Sequence, residues 1–65
     1  MKGIVTGATK TKEGEKMHHF QVGEEVEILN TETFVFQDGS VTVHHCQNGE
    51  GLRQLLADED VMFLD

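Results

Sequence analysis

One cysteine, no tyrosine, no tryptophan, one basic residue after position 16 and no long apolar run mark this chain by what it lacks. A lone Cys46 cannot close an internal disulfide, and an unpaired thiol suits a reducing compartment, so a cytoplasmic location is expected. The opening MKGIVTGATK holds no apolar run of secretory-signal length. No stretch approaches the roughly 20 apolar residues of a membrane span, so no membrane partner is expected. Phe20, Phe34, Phe36 and Phe63 are the only aromatics. Stacking platforms for single-stranded nucleic acid need exposed rings beside basic residues, which argues against that use of these four.

The charge that is present is one-sided. Lys2, Lys10, Lys12 and Lys16 against Glu13 and Glu15 give the first sixteen residues +2. From Met17 on, Arg53 stands against Glu24, Glu25, Glu27, Glu32, Asp38, Glu50, Asp58, Glu59, Asp60 and Asp65, giving −9 and the chain's net −7. Such a surface repels phosphate backbones, because non-specific nucleic-acid binding depends on Lys and Arg displacing counterions. It favours solubility and encounter with a protein whose surface is basic.

Sixty-five residues make one small folding unit, close to the lower limit for an independent core. Residues 1–19 read as a short strand and a flexible loop region, with residues 9–16 (TKTKEGEK) a mobile loop or hairpin tip and residues 17–20 a candidate returning strand. Residues 20–65 carry short apolar runs between turn signals. Val26 and Ile28 alternate with Glu25 and Glu27, the period-2 mark of a strand with one wet face. Asn30 and Thr31 break that run, and TFVFQ begins another.

Asp38 and Gly39 then predict a tight type I′ hairpin closed by the strand at residues 40–46. Residues 47–51 (QNGEG) predict a second turn. The tail reads as a strand at residues 53–56, a 3₁₀ turn at residues 57–60 and a last strand at residues 61–64. A short helix through Leu52, Leu55 and Leu56 is the alternative for residues 50–57. Phe20, Phe34, Phe36, Phe63, Val26, Ile28, Val41, Val43, Leu55 and Val61 are the expected core. On that reading Phe36→Ala costs about 3–5 kcal/mol.

The succession GEEVEIL, FVFQDGSVTV and LRQLL-ADED-VMFLD resembles the small SH3-like β-barrel proteins of bacteria and tailed phages. The resemblance spans residues 20–65. It implies an all-β fold, a small barrel of about five short strands with a 3₁₀ turn before the last. It further implies a phage- or mobile-element-encoded modulator of a host factor. Peptide-reading relatives dock polyproline on Tyr and Trp, and both are missing here, which argues against that activity. Relatives of the KOW type bind RNA or RNA polymerase through a glycine-centred basic loop. Val22, Gly23, Glu24 and Glu25 begin like that loop without its basic residues, leaving a nucleic-acid or polymerase module as an alternative reading.

Two constellations stand out for function. Glu24, Glu25, Glu27, Asp58, Glu59 and Asp60 are the candidate partner-binding residues, steering and contacting a basic protein; as one negative stripe they would imitate a phosphate backbone. His18, His19, His44 and Cys46 are the candidate ligands of an alternative zinc module, since His44 and Cys46 share a strand face and thiolate with imidazole suits tetrahedral zinc. Their spacing matches no established zinc motif, and Cys46 also reads as a small buried apolar residue. No cofactor, catalytic group or enzymatic activity is expected. A short barrel with open edges is also a candidate for self-pairing into a homo-oligomer.

Overall fold

A computed structural model describes every residue except Thr11, inside the polar loop, and Asp65, the last of the expected acids. The described chain is all-β. Its strands are β1 (Lys2–Val5), β2 (Glu25–Phe36), β3 (Gly39–Gln47), β4 (Arg53–Ala57) and β5 (Val61–Leu64), with a 3₁₀ turn at Asp58–Asp60. They form one antiparallel sheet in the order β4-β3-β2-β1-β5. The tail therefore follows the strand, turn, strand reading, within a residue of the expected bounds, and the helical alternative falls. Asn48 shapes the second turn by accepting the amides of Glu50 and Leu52 on Oδ1.

Three expectations are corrected. Residues 17–20 form no strand; the chain turns back one step earlier, where Lys10 and Lys16 bridge and the Met17 amide donates to the Thr9 carbonyl. The long hairpin is present, but its two-residue turn is Gln37 and Asp38, because Phe36 pairs with Gly39. Neither turn residue has positive φ, which excludes type I′; Gly39 alone carries it, at +152°. Finally, the barrel is not closed. Among the described residues no ladder joins β4 to β5, and these strands are the edges of an open sheet.

The sheet nevertheless curls. Phe63 on edge strand β5 meets the ring of His44 on β3 edge-on, with centroids 5.0 Å apart. Gly3 on β1 allows this approach: a Cβ there would stand 2.7 Å from a Val61 methyl and 3.1 Å from the Ile28 terminal methyl. Inside the curl lie Val5, Phe20, Val26, Ile28, Cys46 and Leu56, with Val61 packed against them.

The apolar composition of that core differs from expectation because of one residue. Ile28 pairs with Cys46, while Asn30 pairs with the next residue back along β3, His45, so β2 carries an extra residue at Leu29. A bulge of this kind moves every later side chain of the strand to the opposite face. The run at residues 26–29 and the run at residues 33–37 are thus one strand, not two. Val26 and Ile28 face inward, but Phe34 and Phe36 face outward and are 47% and 57% exposed. Val41, opposite Phe34, and Leu55, opposite His45, are left half-exposed with them, as is Phe63 at the rim. Phe20, Val26, Ile28 and Val43 are buried as expected.

Leu56, with no exposed surface, is the side chain on which stability should depend. Leu56→Ala is expected to cost about 2–5 kcal/mol, near the whole stability of so small a unit. Phe36→Ala should cost no more than about 1 kcal/mol in dilute protein. Urea melts of the two variants check the assignment; equal losses would overturn it.

Candidate functional site

The six candidate acids take up distinct roles. Glu24 closes its own turn, its Oε2 accepting the Gln21 amide at 2.8 Å. Glu25 pairs with Lys2 at 3.5 Å on the outer face. Glu27 accepts the Met1 ammonium at 2.6 Å. That hydrogen bond, aided by the charges of the ammonium and Lys2, holds the Glu27 carboxyl below the usual carboxylate range.

The 3₁₀ turn sends its three acids in three directions, as three residues per turn require. Asp58 accepts from His44 Nε2 at 2.8 Å with 68% of its side chain still exposed. Glu59 is exposed, with Thr9 Oγ1 3.5 Å away. Asp60 is only 3% exposed and accepts both the amide and the hydroxyl of Thr9, each at 2.8 Å. Its own carbonyl takes the Thr6 amide. Gly7 makes room for this, since a Cβ there would lie 2.9 Å from Asp60 Oδ1. The six acids therefore do not form one stripe. Glu25 and Glu27 stand on the outer face, Asp58 reaches to the inner one, and Asp60 is withdrawn from solvent.

Three of the four candidate metal ligands have their side chains committed elsewhere. His18, buried, accepts the Phe20 amide on Nδ1, which places its proton on Nε2 and toward the Gly7 carbonyl at 2.9 Å. His44, also buried, donates from Nε2 to Asp58, and its Nδ1 is hydrogen-bonded to the Thr31 hydroxyl at 2.8 Å. Cys46 is fully buried, its thiol directed at the His44 carbonyl. His19 is exposed, and its amide donates to Gln54 Oε1. Among the described residues no group of three or more His, Cys, Asp or Glu side chains is placed to hold a metal ion. Thr31, His44 and Asp58 form a hydroxyl, imidazole and carboxylate line. It ties β2, β3 and the 3₁₀ turn together, with Phe63 packed on the central ring. His45 makes a separate outer-face bond to Glu32.

One accessible feature lies beside this line. β4 ends at Ala57, opposite Val43, so among the described residues no strand pairs with residues 40–42 of β3 on that side. The chain turns away there into the 3₁₀ segment. An open groove of about 360 Å³ results, lined by Ser40, Val41, Thr42, Ala57, Asp58 and Glu59. One wall is an uncovered stretch of strand backbone with the half-exposed Val41. The other carries two exposed carboxylates. Extended chain with cationic side chains matches both. Sequence reasoning reached Asp58 and Glu59 but not the free edge, which depends on where β4 stops. It also missed Thr9 and Thr31, whose roles leave no local signal. Comparison of the chain with family models, with curated proteins and with solved structures found no match. No helix among the described residues is long and apolar enough to cross a membrane.

Two tests follow from these assignments. Asp60→Ala should cost about 1–3 kcal/mol by leaving the half-buried Thr9 amide unpaired, and should expose the Thr6 and Thr9 amides to hydrogen exchange. Unchanged exchange there would contradict the clasp. Burial pushes the Cys46 thiol up from its ordinary value. The unfolded chain then loses that proton first, so stability is complete below about pH 8.5 and falls as pH rises toward the folded value. Melts from neutral to alkaline pH should show this loss in the wild type and a smaller one in Cys46→Ala.

Proposed function

We propose that this chain is a non-enzymatic acidic binding module whose partner is a protein presenting an extended basic segment. The observation that carries the proposal is the groove between residues 40–42 and the two exposed acids of the 3₁₀ turn. Backbone pairing along the free stretch of β3 supplies affinity without regard to side chain. Asp58 and Glu59 select Lys or Arg at its end. Asp60 leaves the expected contact set because it is buried in a structural role. Glu24, Glu25 and Glu27 act at longer range, biasing encounter through the chain's net −7.

The strand order, the 3₁₀ turn before β5 and the contact of Phe63 with His44 support reading the fold as an SH3-like barrel open at one seam. On that reading the setting is a phage- or mobile-element-encoded modulator acting on a basic host protein in the cytoplasm.

Fluorescence anisotropy with a labelled, extended Lys/Arg-rich peptide tests the groove. Affinity should fall about tenfold or more between low and roughly half-molar salt, and Glu59→Lys should weaken binding at low salt without changing the circular dichroism spectrum. Salt-independent binding, or full affinity in the Glu59→Lys variant, would sink the proposal.

A further inference from the structure

The opposite edge of the same hairpin is also uncovered, and over a longer stretch. β1 pairs with β2 only at Glu25, Val26 and Glu27, and the Met1 carbonyl takes the Ile28 amide. From Leu29 to the end of β2 at Phe36, nothing among the described residues pairs on that side. Natural sheets blunt such edges with lysine, proline, shortness or a bulge. Here the bulge lies at the near end, and the run beyond it, TETFVF, contains neither lysine nor proline. Its apolar side chains are displayed: Val35 is 81% exposed, and Phe34 and Phe36 are each about half exposed.

We infer that two copies of this chain pair antiparallel along residues 29–36 of β2, across a two-fold axis, into a homodimer. Three observations favour a second copy over another occupant. First, an antiparallel strand paired with itself is an isologous contact that closes, so one segment supplies both halves of the interface. With the two-fold axis at Thr33 the ladder runs from Asn30 to Phe36 with outer faces matched, and the two copies of Phe34 lie diagonal to each other. Second, the charge distribution permits it. The run carries one carboxylate, Glu32, which is bonded to His45. Antiparallel pairing also sets the two acidic bodies at opposite ends of the shared ladder. Third, the size is adequate. Covering the exposed parts of Leu29, Phe34, Val35 and Phe36 removes up to about 400 Å² per copy from side chains alone. Backbone and rim bring this toward the roughly 1,200 Å² total at which stable interfaces begin.

The dimer leaves the β3 edge and its acidic groove open, so the inference stands apart from the binding proposal. Salt also separates the two: screening the −7 on each copy should tighten the dimer, whereas it weakens capture of a basic peptide. Sedimentation velocity of the full chain over a range of concentrations should show a dimer that strengthens with added salt. Val35→Lys and Phe36→Lys should be monomeric with unchanged circular dichroism, and Met62→Lys on the β5 edge should remain dimeric. Hydrogen exchange at high concentration should protect alternate amides of residues 29–36, those pointing away from β3. A wild-type monomer at every concentration, a dimer indifferent to both hairpin substitutions, or one abolished by Met62→Lys would overturn the inference.

Discussion

The extra residue at Leu29 sets the side of the sheet that the second half of β2 presents to the core. A strand has only two faces, and one added residue exchanges them. Up to Ile28 the strand builds the interior. Beyond it, Phe34 and Phe36 face away, and the interior is completed by groups from elsewhere: Val5 from β1, Cys46 and Leu56 from β3 and β4, and Phe20 from the long connection. The chain thereby turns two of its four aromatics outward. In a unit of this size that is a large fraction of the apolar surface available, so the remaining core is small and each member matters.

The connection between β1 and β2 compensates by polar means. It lies against the curled sheet because Asp60 holds both polar groups of Thr9, and because His18 uses each ring nitrogen on main chain. Every one of these groups is satisfied, which is the condition under which buried polar atoms rigidify and do not destabilise. Gly7 admits the carboxylate, and Phe20 follows His18 into the core with the two rings 5.8 Å apart. The 3₁₀ turn is thus shared between two tasks, with Asp60 turned inward and Asp58 and Glu59 left at the surface.

Much of this was legible from the residues. Alternation around Val26 and Ile28, the turn signals near Asp38 and Asn48, and the short apolar run after Asp60 predict the strands. What escaped was the relation between them. A strict period of two carries Val26, Ile28, Phe34 and Phe36 to one face, and only the polar pair Asn30 and Thr31 hinted that the count slips there. The hairpin turn moved back one residue because Gly39, not Asp38, takes the positive φ. The acids were read as surface because carboxylates are rarely buried. Asp60 is the exception, and its partner Thr9 lies 51 residues away in sequence. Separation of that order leaves no local pattern.

The distal hairpin joins these threads. It extends past the ends of β1 and β4, so its strands support each other and little else, an arrangement that is marginal in water for an isolated ribbon. Something must limit indiscriminate pairing along its two free edges, and the two edges differ in how this is done. The β3 edge ends against Asp58 and Glu59, which tolerate a cationic strand and repel an anionic one, a copy of this chain included. The β2 edge has no comparable guard, only the mutual repulsion of two bodies at −7 each. That repulsion is weakest when the bodies lie farthest apart, which is the antiparallel arrangement. The same charge that discourages stacking in general therefore leaves one geometry least opposed, and the outward aromatics stand where that geometry would cover them.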